Sequence, residues 1–405
     1  MTQNIEILKI ANRLVSYALH DSSRATTRSL AQGVKNISIP PSAQKDYCKT
    51  VQEFYELEKI ISRNYSLEAF EGKVRKFIAP FVLDAKLVDK QSVTLFLREL
   101  SGAPLINYSV FRPIHRIKTN MRFGPIVLGR FTFYNTVSDA VALNTALKGI
   151  KDEVLLDDAE HYLIHTSVEA RDRVRALELA DALFEQFENV IRFMLGPQSR
   201  FDTRIFGWAG SFSAYSIVMS GVDWASSISK EGITDELNID DKYFLDAKFG
   251  FDIIWKNLGK SSLSQLMKKI FLSVNWVGQS IDEKIPSSGF LKAAIALEIL
   301  FTPEPGMFAP SIVSQITENI VLLLGADATS RFELEQKVKH LYGIRSKVAH
   351  TGRTDIAPDD LLAIQELVRQ TIFKLLTTVK IKECSTSEDL SKVLKSLKYS
   401  CPPIS

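Results

Sequence analysis

Residues 342–352 read Tyr-Gly-Ile-Arg-Ser-Lys-Val-Ala-His-Thr-Gly. It contains Arg345 and His350, separated by four residues. Arginine carries a permanently charged, planar fork of hydrogen-bond donors that suits phosphate oxygens. Histidine accepts or donates a proton near neutral pH. Both side chains therefore suit chemistry on a phosphodiester, and they are the candidate catalytic pair.

The composition is that of an ordinary globular protein. With 405 residues the chain exceeds a single typical core, so we expect two or three domains. Hydrophobic residues make up 45%, charged residues 24%, and the formal net charge is +3, which is close to the averages of soluble proteins. The overall charge does not indicate a nucleic-acid-binding protein, so any basic surface has to be local.

The cysteines and the N-terminus favour a cytoplasmic protein. The cysteines are odd in number, scattered and without metal-type spacing, which indicates a reducing compartment and no zinc site: Cys48, Cys384 and Cys401. Residues 1–18 read as an amphipathic helix whose charged residues interrupt the apolar core that a signal peptide needs. The longest apolar stretches, such as Ile295 to Phe301, are too short to span a membrane.

The first hundred residues are predicted to be mainly helical. Apolar residues recur at helical spacing in three segments, which start at Ile7, Val51 and Leu67. We interpret these faces as core. The adjacent prolines Pro40 and Pro41 separate the first two helices, because they cannot continue a helix and they hold the chain extended.

Residues 106–135 change in character and predict two strands or a hairpin. They are rich in β-branched and aromatic residues and contain a Gly-Pro break. Arg112, Arg116 and Lys118 have the same parity, so a regular strand would project them to one face, with Arg122 and Arg130 nearby. Such a face suits a phosphate backbone, so these three residues are candidate substrate contacts. A merely solvated face is the alternative.

Two further motifs lack a feature that the site they resemble requires. His161 and His165 are four residues apart, as a metal site would require on a helix, but the residues between them favour a strand, and no third ligand is evident. Gly259-Lys260-Ser261 resembles the end of a phosphate-binding loop, yet the motif needs a glycine where Ile254 stands. We predict neither a metal nor a cofactor.

The remaining segments predict strands and then a helical unit. An apolar stripe from Ala176 to Met194 predicts a long helix that ends at Gly196-Pro197 and packs on the preceding strands, and residues 205–220 are interpreted as strands. From residue 262 onward the Gly, Pro and Ser signals separate helices. Their predicted spans are 264–274, 290–301, 311–324, 330–350 and 359–377, followed by a tail with one short helix at 390–397.

Two segments of this helical unit resemble a known family. The run Ala294-Ile295-Ala296-Leu297-Glu298-Ile299-Leu300, followed about fifty residues later by Tyr342 to Gly352, resembles the Apea-like branch of the HEPN superfamily. That family carries an arginine and a histidine, four to six residues apart, at the end of a helix in a small all-α bundle. Many members are metal-independent endoribonucleases that act as toxins or in antiviral abortive infection. The resemblance covers roughly residues 289–376.

The resemblance implies a site and a reaction. The ribose 2′-hydroxyl would attack the adjacent phosphorus, with His350 as general acid or base and Arg345 on the scissile phosphate. Glu298 would orient one of these two residues, and the alternatives are a buried salt bridge or a charge on the helix surface. Ser346, Lys347 and Tyr342 would contact RNA, although plain surface or core packing is the alternative for Lys347 and Tyr342. Active members commonly carry Asn, Asp or His where Ser346 stands.

The spacing of the pair bears on the number of chains in the site. Five residues rotate a side chain by roughly 140° on an ideal helix, so Arg345 and His350 would not lie side by side. Either the helix ends between them, or they face a partner. A symmetric homodimer would bring two copies of each residue around one cleft, as the family typically does. An ordinary alternative is that His350 caps its helix and Arg345 makes a surface ion pair.

We therefore expect a predominantly helical α+β protein with a C-terminal all-α HEPN-type bundle. The predicted domains are an α+β sensing or regulatory region at residues 1–260, helical over 1–100, a HEPN-like helical domain at 261–380 and a tail at 381–405. The expected function is RNA cleavage, with tRNA as one candidate substrate, by a cytoplasmic homodimer that responds to a phage or cellular trigger. The alternative is a non-catalytic HEPN-type module that dimerises or binds a ligand or a protein.

Overall fold

The computed structural model describes residues 2–20, 37–120, 124–147, 162–199, 203–205, 213–220, 223–230, 236–260, 262–301, 312–352 and 354–399. Within these ranges the chain forms fifteen α-helices and ten short or medium β-strands. The predicted class, a predominantly helical α+β protein, is confirmed. The chain divides into two units, of which unit 1 comprises residues 1–110 and 167–182 and unit 2 comprises residues 111–166 and 183–405.

Unit 1 is mainly helical, as its apolar periodicity predicted. Its core consists of aliphatic and aromatic residues from each of the longer helices, among them Ile7, Phe54 and Phe70, which are fully buried. The side chain of Ser66 caps the following helix by accepting from the backbone N–H of Ala69. The helices are α1 (Thr2–Tyr17), α2 (Gln44–Leu57), α3 (Lys59–Asn64), α4 (Leu67–Leu83) and α5 (Lys90–Gly102), and a short antiparallel pair joins β1 (Leu19–His20) to β2 (Ile37–Ser38).

The chain returns to unit 1 at residues 167–182, and this segment is tied to residues 66–101 by partly buried and exposed polar contacts. Asp172 accepts from the backbone N–H of Ser66 at 2.9 Å and from its hydroxyl at 2.8 Å. The guanidinium of Arg171 donates to the carbonyl oxygens of Leu100 and Ser101, near the C-terminus of α5. The return segment therefore satisfies polar groups at both a helix start and a helix end.

A four-stranded sheet contains the predicted strands of residues 106–135. Its order is β3, β7, β6, β5, and the register between β6 and β7 pairs Phe133 with Ile164 in antiparallel fashion. The strands are β3 (Ile106–Ile114), β5 (Ile126–Leu128), β6 (Phe131–Asn135) and β7 (Tyr162–Ala170). A separate parallel pair joins β4 (Ile117–Lys118) to β10 (Leu237–Asn238).

The long helix α7 (Arg173–Leu195) packs on the sheet through aromatic residues. Phe187 contacts the rings of Phe131 and Phe133, with centroid distances of 5.1 and 5.5 Å, and Phe184 contacts Phe131 at 6.1 Å. The predicted packing of this helix against the preceding strands is confirmed. The helix ends as predicted before Gly196, whose φ of 85° suits glycine.

The remaining part of unit 2 contains a helical bundle that includes both segments of the family resemblance. The elements after α7 are a hairpin of β8 (Ser213–Ser220) and β9 (Asp223–Lys230), a short 3-10 helix (Lys242–Leu245), and α8 (Phe251–Asn257), α9 (Gln265–Asp282), α10 (Pro286–Phe301), α11 (Ile312–Leu324), α12 (Ala328–Thr351), α13 (Pro358–Thr377), α14 (Val379–Lys382) and α15 (Ser387–Tyr399). Helix α9 packs along α10, α11 packs along α12, and α13 contacts α9, α10 and α11. A further short helix, α6 (Ala140–Ala146), follows β6.

The observed units do not coincide with the predicted domains. The region predicted at 1–260 contributes to both units, and the boundary expected at residue 260 lies inside unit 2. The predicted tail contains α15, which contacts α11 and buries Leu390 and Leu394 at 2% exposure each. Over the described ranges, no helix combines the length and the apolar character that a membrane span requires.

Candidate active site

The stretch that carries the candidate pair lies at the end of the longest helix of the bundle, α12. The helix begins after Asp327, whose carboxylate accepts from the backbone N–H of Ser330 at 2.8 Å, while the Ser330 hydroxyl accepts from the backbone of Asp327. This reciprocal capping box stabilises the first turn. The helix ends at Gly352, whose φ of 67° lies in the left-handed region that glycine tolerates. The predicted stop at Gly352 is therefore observed, and the predicted start at Ser330 is the third position of the helix.

The helix is continuous from Arg345 to His350. Of the two arrangements that the spacing allowed, an ending of the helix between the two residues is therefore wrong. Their side chains leave the helix axis in directions roughly 140° apart. One chain consequently presents Arg345 and His350 on different faces of α12.

Arg345 is held by Glu298 of the neighbouring helix α10. Its Nε donates to one carboxylate oxygen at 3.0 Å and its Nη2 donates to the other at 3.3 Å. This two-point arrangement fixes the plane of the guanidinium. The arginine side chain is 32% exposed and the glutamate side chain 22%, so the pair lies at the edge of the bundle. The hydrogens on Nη1, and the second hydrogen on Nη2, are not engaged by Glu298 and remain for another acceptor.

Tyr342 lies one turn before Arg345, on the same side of the helix, and is only 4% exposed. The expectation that Tyr342 contacts RNA is therefore wrong for this conformation, because its ring is part of the bundle core. Its hydroxyl is buried and has no hydrogen-bond partner among the residues that the structure describes. Burial and the nearby charge of Glu298 raise the pKa of this hydroxyl, and Arg345 opposes the shift.

His350, Ser346 and Lys347 form an exposed surface at the C-terminal end of α12. Ser346 lies four residues before His350 and Lys347 three, so their side chains neighbour the imidazole on the helix surface. A Cβ atom placed on Gly343, one turn earlier, would have no atom within 4 Å. This surface is open and carries a hydroxyl, an ammonium group and an imidazole.

The three basic candidates near β3 do not form one regular strand face. The strand ends at Ile114, and Arg116 adopts a positive φ of 63°, which breaks the alternation of side chains between the two faces. Arg112 and Arg116 are half-buried and engaged in interactions within the protein. The interpretation as a continuous basic strand face is therefore wrong. Lys118 is exposed and borders a cleft of about 640 Å³ whose walls contain neither Arg345 nor His350.

The motifs that the sequence set aside have structural explanations within the described ranges. His165 lies on β7, so the strand interpretation is confirmed there, and its ring packs on Phe111 with a centroid distance of 4.5 Å. The carbonyl oxygen of Gly259 accepts from Arg130 at 2.8 Å. Over the described residues, no three His, Cys, Asp or Glu side chains form a group suited to a metal ion. Arg122, His161 and Cys401 lie outside those residues.

The geometry thus joins one pair of the predicted site residues, Arg345 and Glu298, and places Ser346 and Lys347 beside His350. The sequence did not assign a role to the buried hydroxyl of Tyr342. Comparisons with protein-family models, with curated proteins and with solved structures gave no significant match to this chain. The family resemblance therefore rests on the residues of α10 and α12.

Proposed function

We propose that this protein is a HEPN-type, metal-independent endoribonuclease of the cytoplasm that acts in antiviral abortive infection or as a toxin. The observation that carries the proposal is the guanidinium of Arg345, which Glu298 orients at 3.0 and 3.3 Å on the helix that also bears the exposed His350. When Glu298 holds the guanidinium through Nε and Nη2, the remaining N–H donors of Arg345 can bind a second acceptor. An RNA phosphate is such an acceptor.

In the proposed reaction, the ribose 2′-hydroxyl loses its proton and attacks the adjacent phosphorus, and the bond to the 5′-oxygen breaks. His350 either accepts the proton from the 2′-hydroxyl or donates one to the leaving 5′-oxygen. Arg345 donates to the phosphate oxygens on which negative charge builds up in the transition state. The products are a 2′,3′-cyclic phosphate and a 5′-hydroxyl. Ser346 and Lys347 contact the RNA beside His350.

The proposed active unit is a homodimer. A single α12 directs Arg345 and His350 to different faces, so one chain does not bring both groups to one phosphate. A twofold axis close to the C-terminal end of α12 would place the arginine of one chain opposite the histidine of its partner. A solution mass equal to that of one chain under the conditions of RNA cleavage would contradict this arrangement.

The test is RNA cleavage by purified Arg345→Ala and His350→Ala variants. We expect His350→Ala to lower the cleavage rate by about 10²–10⁴-fold, as is typical for loss of a general acid or base, and Arg345→Ala by about 10²–10³-fold. His340→Ala is the matched control, because it removes another exposed histidine from the same helix. It should cleave RNA like the wild-type protein.

The chemical nature of the product ends, and cleavage in the presence of a chelator, test the proposed chemistry separately. Cleavage in the presence of a chelator should continue and should leave cyclic phosphate and 5′-hydroxyl ends. Products with 3′-hydroxyl ends would exclude attack by the 2′-hydroxyl. If both alanine variants keep their folded structure and cleave at the wild-type rate, the proposed nuclease site is wrong.

A second candidate function is a non-catalytic HEPN-type module that dimerises or binds a ligand or a protein. Two observations favour it: Ser346 stands where active members commonly carry Asn, Asp or His, and Glu298 already neutralises Arg345. Under this alternative, the wild-type protein binds its partner without cleaving RNA, and Arg345→Ala affects stability alone. Residues 1–260, in either case, are proposed to respond to a phage or cellular trigger.

A further inference from the structure

The hydroxyl of Tyr342 has no evident use in the folded structure. Tyr342 is only 4% exposed, and its hydroxyl is buried without a hydrogen-bond partner over the described ranges. Leaving a buried donor unsatisfied is unfavourable, whereas a phenylalanine would pack the same ring without that cost. A tyrosine at this position therefore indicates that the hydroxyl finds an acceptor in another state of the site.

Glu298 is the acceptor that the geometry supplies. Tyr342 and Arg345 are three residues apart and lie on the same side of α12, and Glu298 faces that side from α10. The charge of Glu298 raises the pKa of the Tyr342 hydroxyl and that of Arg345 lowers it, so both charged groups lie within electrostatic reach of this hydroxyl. In the resting structure each oxygen of Glu298 accepts one hydrogen bond from Arg345, and the Tyr342 hydroxyl makes no hydrogen bond to either oxygen.

We propose that Tyr342 is a positioning residue that donates its hydroxyl hydrogen bond to Glu298 when an RNA phosphate draws Arg345 away from that carboxylate. This inference rests on the proposed function. A phosphate bound to the outer edge of the guanidinium competes with Glu298 for the same positive charge. A shift of Arg345 toward the phosphate weakens both of its bonds to Glu298 and leaves a largely buried carboxylate short of donors. The tyrosine hydroxyl supplies the missing donor.

The hydroxyl thereby makes the transfer of Arg345 to RNA easier. Without it, Glu298 keeps the arginine more tightly, because a partly buried carboxylate that loses the two hydrogen bonds of Arg345 is disfavoured. The resting structure is affected little, since the hydroxyl makes no bond there. The effect of Tyr342 should therefore be seen in RNA binding rather than in stability.

The test is Tyr342→Phe, measured through the affinity for an uncleavable oligonucleotide in which a 2′-deoxyribose replaces the ribose at the cleavage site. We expect the thermal unfolding temperature to stay the same or to rise, and the affinity to fall about tenfold, as is typical for loss of a hydrogen bond to a charged group. Tyr47→Phe, which removes the hydroxyl of a buried tyrosine in unit 1, should leave the affinity unchanged.

A double-mutant cycle separates this role from ordinary packing. In a Glu298→Gln background there is no carboxylate charge to satisfy, so the further change Tyr342→Phe should cost almost no affinity. An equal loss in both backgrounds would contradict the proposed hydrogen bond. If the wild-type protein binds and cleaves RNA with a dependence on Arg345, but Tyr342→Phe binds normally, only this inference fails. If neither binding nor cleavage depends on Arg345, the proposed function fails and this inference with it.

Discussion

His165 is a histidine in an aromatic and largely apolar setting. Its ring packs at 4.5 Å from Phe111 and 6.3 Å from Tyr134, measured between centroids. Neither ring nitrogen has a hydrogen-bond partner in the part of the chain that the structure describes. Burial lowers the pKa of this imidazole below its usual value of 6.5, because an apolar setting disfavours the charged form. The neutral ring is therefore the form that the folded protein accommodates.

This pKa shift predicts a pH dependence of stability. The unfolded protein binds a proton at His165 more readily than the folded protein, so the contribution of the neutral ring is complete above about pH 6.5 and declines as the pH falls. His165→Phe should keep the aromatic packing and remove this decline. Chemical denaturation of both proteins between pH 7.5 and pH 5 should show the variant gaining free energy of unfolding relative to the wild type. Parallel curves over that range would contradict the prediction.

At the candidate site, the sequence predicted the interaction partner of Arg345 better than it predicted the burial of Tyr342. The interaction of Arg345 with Glu298 was one of the alternatives that the two segments allowed, and it is observed. For Tyr342, RNA contact, plain surface and core packing all stood open, because the spacing of α12 alone does not tell which side faces α10. The orientation depends on the neighbouring helices, and these approach from distant parts of the chain. A polar ring in a core was therefore not evident from local sequence.

Among the helices, the C-terminal end of α7 depends on one arginine of α13. Arg369 is 8% exposed, and its Nε and Nη2 donate to the carbonyl oxygens of Phe193 and Met194 at 2.7 and 2.9 Å. Its Nη1 pairs with Glu366. These carbonyl groups belong to the last turn of α7, where no further helical N–H is available. A single guanidinium thus joins the end of α7 to α13.

Replacing this arginine should destabilise unit 2. Arg369→Met retains much of the side-chain volume but removes the donor of the buried Phe193 carbonyl and leaves the Met194 carbonyl with the Tyr243 hydroxyl as its donor. We therefore expect a loss of about 2 kcal/mol in the free energy of unfolding. Arg369→Lys retains the charge but not the planar fork, so its free energy of unfolding should lie between those of the wild type and Arg369→Met. Urea denaturation of the three proteins measures this order of stability. Equal midpoints for wild type and Arg369→Met would show that the end of α7 does not need this donor.

The helices of the bundle were predictable because their apolar spacing repeats over several turns. The residues at which these helices begin and end were less predictable. Helix α12 starts after Asp327, and this start was missed because its capping box uses a serine as the partner at the third position, rather than the more familiar Glu or Gln. The break at Arg116 had no sequence signal, since arginine rarely adopts a positive φ and the contacts that hold it there come from distant residues. The local backbone preferences of the sequence therefore do not predict this break.

For the whole molecule, the proposed two-chain site predicts complementation. Arg345→Ala and His350→Ala chains, each inactive alone, should regain activity when they are co-expressed. Random pairing makes half of the dimers mixed, and each mixed dimer has one intact site, so about one quarter of the wild-type activity is expected. Co-expression of two Arg345→Ala chains with different tags is the control and should stay inactive. Mixed dimers that form without activity would contradict a site shared between chains.

The division into units was the least predictable feature. Composition changes marked residues 106–135 as a new segment, and the chain does pass between units after Val110. The return at residues 167–182 could not be anticipated, because it depends on pairings such as Asp172 with Ser66 over 106 positions of sequence. Helix α7 itself is one uninterrupted helical pattern, although its residues are divided between the two units.

That return has a consequence for the order of events during synthesis. Ser66 leaves the ribosome 106 residues before Asp172, its partner in the folded protein. At a synthesis rate of 5–20 residues per second, the first helices wait roughly 5–20 seconds for that carboxylate. During this interval the backbone N–H of Ser66 and the last carbonyl groups of α5 lack their folded partners. Unit 1 therefore completes its folding only after the sheet strands β3 to β6 have already been made.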